Sequence, residues 1–264
     1  MVDIHCHILP GVDDGARDMD ASLAMARLAI DDGIDVIVAT PHWPLEELPV
    51  PAERIRELTA EVQAELDREQ VPLRLVAGHE CAITPELPEE LAKGGALGFG
   101  GKVRYALLET PYHHLPFYLR DIVFQVQSRG FATIIAHPER NPIIQNDPTQ
   151  LEEYVRSGCL VQVTAGSLTG QWGGPSKKAG FTLFRRGLAH IIASDAHSPN
   201  SRPPVLSEAR KLVADALGEE TARRAVEDLP RRIINGQPIY VPDPSEVAAA
   251  PSRRGGLLSR LFGR

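Results

Sequence analysis

The feature that most constrains this chain is a repeated pair. Short apolar runs of β type, at residues 1–7, 35–40, 73–77, 104–108, 133–136, 160–164 and 190–194, alternate with stretches of helical periodicity. In the second helical stretch, 52–69, Ile55, Leu58, Val62 and Leu66 recur at three- and four-residue steps and line one face. The first, 21–32, has Asp20 as its expected cap and Gly33 as its stop. Further helices are expected at 117–128, 151–156, 176–186, 205–217 and 219–227. Strands that alternate with helices must lie parallel, and seven units without a break favour closure into a (β/α)7 barrel over an open sheet.

The ends of these runs carry the chemistry. In a parallel barrel the C-terminal strand ends form one rim, and His7, His42, Glu80, Glu109, His137 and Asp195 all fall there. Six of seven strand ends bear a ligand-type residue, where chance would scatter them over both rims and the outer helices. His5 and His7 are two apart on an extended backbone and face one spot, a chelating pair. The turn Gly11-Val-Asp13-Asp14-Gly15 adds a carboxylate close by, and His197 follows the last strand. Five histidines and four carboxylates, with no thiolate, suit Zn, Mn or Fe and outnumber what a single ion needs, which implies two or three ions. Closely spaced ions favour in-line displacement at phosphorus, and Arg140 has the fork that fits a phosphoryl group.

Composition narrows the rest. With 264 residues, 43% of them hydrophobic, the chain can bury one sizeable core. A net charge of -7 excludes a general nucleic-acid binder, so a phosphorylated substrate must be attracted locally. Cys6, Cys81 and Cys159 are odd in number and far apart, which argues against a disulfide framework and fits a reducing interior. No apolar run is long enough to span a bilayer, so a cytoplasmic place is expected, with weak docking to a membrane surface through the tail.

These motifs resemble a known family. The early His-x-His, the strand-end Pro41-His42, Glu80, Glu109, His137-Pro-Glu-Arg140 and Ser194-Asp195-Ala-His197 are similar to the polymerase-and-histidinol-phosphatase (PHP) superfamily. The longer stretches 3–15, 135–140 and 192–197 look like its manganese-dependent bacterial protein-tyrosine phosphatases of capsule and exopolysaccharide loci. The resemblance spans residues 1–240 and implies a distorted, TIM-like α/β barrel of PHP type, with 241–264 left as linker and short basic tail.

The resemblance also implies a ligand set. His5, His7 and Asp195 with Glu80 would hold one ion; Glu80 would bridge to a second held by Glu109 and His137; Asp14, His42 and His197 would hold a third. Matching the family's Asp-Asp-Gly turn selects Asp14, while the residues alone leave Asp13 open. Mn2+ is the expected metal, with Fe, Zn or Co acceptable to the same donors. Arg140 would meet the phosphoryl group on the tyrosine-phosphorylated C-terminal tail of a bacterial tyrosine autokinase, and a metal-bound hydroxide would attack it.

Competing readings are a PHP-type small-molecule phosphatase, such as one for histidinol phosphate, and a non-catalytic metal-binding regulator. Intact ligand positions weigh against the regulator. Cys6 should point away from His5 and His7 into the core, so no thiolate nucleophile is expected. His79 should face away from Glu80, and His190 should lie at the opposite rim. His113 and His114 sit on the loop 110–118, whose aromatic residues are candidates for a phosphotyrosine pocket. The tail, with Arg253, Arg254, Arg260 and Arg264 among Leu257, Leu258, Leu261 and Phe262, would be basic and amphipathic if helical.

Overall fold

The computed structural model describes residues 1–44 and 50–245. Among the described residues there are ten short strands, nine of which make the seven staves of a parallel barrel. In chain order they are β1 (Val2–Cys6), β2 (Val36–Ala39), β3 (His42–Trp43), β4 (Arg74–Ala77), β5 (Glu80–Ala82), β6 (Phe99–Gly100), β7 (Arg104–Glu109), β8 (Phe131–Ala136), β9 (Leu160–Thr164) and β10 (Ile191–Ala193). β1 pairs β2 and β2 pairs β4, while β3, β5, β7, β8, β9 and β10 pair in that order, all parallel. The circle closes where His7 N donates to Ala196 O and Asp195 N to His5 O, both at 2.8 Å.

The barrel is distorted for identifiable reasons. The second stave breaks at Pro41, which has no N–H to give the ladder, and resumes as β3. The third breaks at Gly78, where a Cβ would stand 2.8 Å from the Phe99 ring. There His79 N leaves the ladder for Leu97 O (3.1 Å), and β6, antiparallel to β7, carries Phe99 into the interior core. The alternation of the sequence runs does not show this wedge, because residues 97–100 are too short a segment to carry a period.

Two cores result. The interior plug comprises Val2, Ile4, Val38, Leu107, Ile134 and Ile191 with their neighbours, capped by Leu229 and Ile233 of the helix Leu229–Ile234. The larger outer shell lies between the staves and the helices Met19–Asp31, Ala52–Arg68, Leu119–Ser128, Gly173–Arg185 and Ser207–Leu217. β1 starts with Val2 and Ile4 in the plug, so strict alternation would turn His5 and His7 outward. A register shift between Asp3 and Cys6 reverses the phase. Both imidazoles then point into the mouth, and Cys6 packs in the outer shell, as expected.

Helix details differ from expectation at several points. Asp18, not Asp20, caps the first helix, accepting from Ala21 N at 2.9 Å. The stretch expected at 219–227 continues through a π turn at Arg224–Asp228 into Leu229–Ile234. A short helix at Leu87–Lys93 was not expected, and the tail beyond residue 245 lies outside the described residues. Among the described residues no helix is long and apolar enough to cross a membrane.

Candidate metal centre

The floor of the mouth is built on β1. His5 and His7 project their Nε2 atoms to within 3.2 Å of each other. His5 Nδ1 is engaged with Gln162 Oε1 at 3.1 Å, and His7 Nδ1 with Asp13 Oδ2 at 2.7 Å. Those partners fix each ring with Nδ1 as donor and leave both Nε2 lone pairs aimed at the same space. Glu80 Oε2 lies 3.2 Å from His5 Nε2, 3.4 Å from His7 Nε2 and 3.1 Å from His42 Nδ1. Asp195 Oδ1 faces the same two Nε2 atoms at 3.5 and 3.6 Å.

The upper part holds the remaining residues. Asp14 Oδ1 reaches His42 Nε2 (3.5 Å) and His197 Nε2 (3.3 Å), Glu109 Oε2 reaches His42 Nδ1 (3.6 Å), and His137 Nε2 meets Glu80 Oε1 (2.7 Å). Among the described residues, donor atoms cluster within 4.8 Å in three overlapping groups: His5, His7 and Glu80; His42, Glu80 and Glu109; and His7, Asp14, His42 and His197. All nine residues singled out from the sequence therefore converge. His7 and His42 each serve two groups, whereas the ligand set given by resemblance assigned each to one ion. His137 is joined to the cluster through Glu80 alone among these groups.

The geometry separates the two aspartates of the turn. Asp13 accepts from His7 Nδ1, from His42 N (3.1 Å) and from Gly15 N (3.0 Å), so both oxygens are already spent on orienting others. Asp14 is exposed at the mouth and offers its oxygen to two imidazoles. His79 faces away, its Nδ1 accepting from Leu97 N (3.0 Å), and His190 Nδ1 accepts from Val161 N (3.1 Å). Burial lowers both of those pKa values to about 4, so each is a neutral structural acceptor.

Is this a place for cations? Glu80 Oε2 is buried with no hydrogen-bond partner, ringed by imidazole nitrogens. Lone pairs and carboxylates packed this closely repel unless protons or metal ions lie between them. Protons and divalent cations compete for that part. Burial opposes a charge on His7, yet the bond to Asp13 and the nearby Glu80 hold its pKa up at about 9. Burial likewise opposes charge on His42, and Asp14 and Glu80 override it to about 11. Nitrogen and oxygen donors without sulfur fit hard to borderline divalent ions.

Asp13 lies outside the three donor groups but orients one of their members. Asp13→Asn weakens the hold on the His7 tautomer, and affinity for a divalent cation should fall about tenfold to a hundredfold. Titration with a fluorescent chelator reads it; unchanged affinity would assign Asp13 to the turn alone.

A guanidinium borders the cluster. Arg140 is 8% exposed and donates through one terminal nitrogen to Thr164 Oγ1 (2.8 Å) and to Asp195 Oδ2. Its Nε and other terminal nitrogen are buried without partners. It lies 4.2 Å over the Trp172 ring. Arg202 donates to Asp195 O and Oδ2, each at 2.9 Å, and lines the mouth. Sequence reading passed over both Arg202 and Trp172, because each is carried by a loop with no periodic signal. Of the 110–118 aromatic residues, Tyr112 lines the mouth and stacks on His137 at 6.2 Å, while Phe117 is 96% exposed. His113 and His114 are exposed on the same loop, which Asn141 fixes through Pro111 O and His114 O.

His137 (φ 34°) and Asp195 (φ 53°) adopt left-handed backbone conformations that side chains with a Cβ rarely take. Such strain collects where a side chain must be re-aimed for a site.

The family described as capsular polysaccharide synthesis, CpsB/CapC, matches residues 1–235. Tyrosine-protein phosphatase YwqE of Bacillus subtilis is 35% identical over 247 residues, which is 94% of this chain and 96% of that protein. Tyrosine-protein phosphatase CpsB of Streptococcus pneumoniae is 29% identical, over 90% of this chain and 99% of that one. A crystal structure from work on YwqE and CpsB, described as unique metal-dependent tyrosine phosphatases, superposes with a TM-score of 0.88 at 35% identity, covering 92% of this chain and 98% of that one.

Proposed function

The chain belongs to the CpsB/CapC family, and from that premise we propose that it is a metal-dependent protein-tyrosine phosphatase of polysaccharide biosynthesis. Its substrate on this reading is the tyrosine-phosphorylated C-terminal tail of a bacterial tyrosine autokinase, met in the cytoplasm, and hydrolysis of that tail regulates capsule or exopolysaccharide export. The observation that carries it is the buried, unpartnered Glu80 Oε2 among three imidazoles, beside a guanidinium with two unpartnered nitrogens. His5, His7, Asp14, His42, Glu80, Glu109, His137, Asp195 and His197 would hold two or three ions, Mn2+ first among them. Bound ions supply Lewis acidity and an activated water at neutral pH.

The chain's own groups do the rest. Arg140, bonded to Asp195 beside the cluster, would meet the phosphoryl group with its guanidinium, and Arg202 adds a second positive charge from the mouth's edge. Asp195 holds both guanidinium groups in place through Oδ2 while its Oδ1 faces the imidazoles. Tyr112 offers an aromatic wall to the phenyl ring of the substrate. A phenol with a pKa of about 10 is a fair leaving group, so modest proton donation suffices.

Metal-stripped protein should lose at least about a hundredfold in turnover of a phosphotyrosine peptide and regain it with Mn2+. Restoration by Mn2+, with histidinol phosphate a poor substrate, supports the reading. Hydrolysis of histidinol phosphate alone moves the assignment to a small-molecule phosphatase.

A further inference from the structure

Beside the mouth lies a second cleft of about 230 Å³ that the metal cluster does not use. It shares Arg202 with the mouth and is walled by Trp172, Pro203 and Val205, with Gln171 and Glu208 as polar members. Ser194, next to Asp195, also lines it, so the cleft opens against the reacting centre. Its lining mixes apolar residues, Trp172, Pro203 and Val205 among them, with polar ones, and its one carboxylate is Glu208. Glu208 stands in the first turn of the helix Ser207–Leu217, exposed and without an ion pair among the described residues. Of the neighbouring cations, Arg202 is paired with Asp195, and Lys177 is turned to Thr169 O at 3.4 Å.

We propose that this cleft is a specificity subsite for a lysine or arginine flanking the phosphotyrosine of the peptide substrate, with Glu208 as the residue that selects it. This rests on the phosphotyrosine-peptide reading above and adds to it. An alkyl stem suits Pro203, Val205 and the Trp172 ring, and the cationic head is left for the one carboxylate of the cleft without a partner. A peptide lying across Arg202 passes from the mouth directly into the cleft, so a residue close to the phosphotyrosine reaches it. The protein's net charge of -7 favours approach of a basic peptide as well.

The test uses the Mn2+-loaded full chain and phosphotyrosyl peptides carrying Lys, Ala or Glu at each position within three of the phosphotyrosine. para-Nitrophenyl phosphate, which cannot reach the cleft, is the control. At one position Lys should raise kcat/KM about threefold to fivefold over Ala, the range of an exposed ion pair. Glu208→Gln should erase that preference and Glu208→Lys should reverse it in favour of Glu, with turnover of para-nitrophenyl phosphate unchanged in both. Peptide hydrolysis without a flanking preference, or with one that ignores both variants, overturns the subsite and leaves the phosphatase reading standing. Failure to hydrolyse any phosphotyrosyl peptide while histidinol phosphate is turned over overturns both.

Discussion

Glu80→Gln is expected to reduce kcat/KM on a phosphotyrosine peptide about a thousandfold, on the order of 4 kcal/mol of barrier. The carboxylate is 1% exposed and belongs to two of the three donor groups, so it is the group through which the centres share charge. An amide of the same size keeps the shape but not the charge. It turns either a weaker oxygen or an N–H pair toward His5, His7 and His42, whose nitrogens stand 3.1 to 3.4 Å away. Both clusters lose a ligand at once, and bound metal per chain should fall together with activity. Metal analysis after gel filtration checks the first and steady-state kinetics the second. Full activity with unchanged metal content would show that Glu80 is a structural partner of His137 and nothing more. A thermal melt of the metal-free proteins separates loss of ions from loss of fold.

Most of the mouth was legible in the sequence because parallel barrels put function at one position of a repeat. A strand-end residue needs only the run before it to be read, which is why Glu109 at the end of β7 and Asp195 after β10 stand out. What the runs hide is phase. Strict alternation predicts His5 and His7 on the outer side of β1, and only the register shift between Asp3 and Cys6 brings them in. Asp3 anchors this region from beneath: its carboxylate accepts from Ser194 N (3.0 Å) and Ser194 Oγ, which ties β1 to the end of β10.

Other parts carried no readable signal. Gln162 lies in the middle of β9, the stave whose end bears no ligand, yet it sets the tautomer of His5. Nothing in its type or spacing marks it. Arg202 and Trp172 meet Arg140 and Asp195 only because two loops cross the rim. The choice between Asp13 and Asp14 is likewise tertiary. Adjacent and chemically identical, they are told apart by His7 Nδ1 and His42 N, which occupy one of them.

Arg140→Ala should lower kcat/KM about a hundredfold to a thousandfold while leaving the metal content intact, and Arg140→Lys should recover little of it. The reason is directional. One terminal nitrogen is spent on Thr164 and Asp195, and the Trp172 face fixes the plane of the guanidinium, so the N–H groups of Nε and of the other terminal nitrogen keep set directions in that plane. A guanidinium held in this plane directs its N–H donors along fixed lines; an ammonium supplies a point charge on a flexible stem that does not lie flat on the Trp172 ring. The carbonyl ends of the 138–140 turn are held from outside the mouth, by Gln145 Nε2 on Glu139 O (2.9 Å) and on Arg140 O (3.4 Å), so the backbone is expected to stay in place when the side chain is shortened. Asp195 keeps Arg202 at 2.9 Å, which limits the charge left unpaired and protects the metal ligands from collapse. The decisive comparison is therefore Lys against Ala. Equal loss in both marks directional recognition of the phosphoryl group by the guanidinium. Near-complete rescue by Lys would mean that positive charge alone is needed, and that Arg202 shares the phosphoryl group on equal terms.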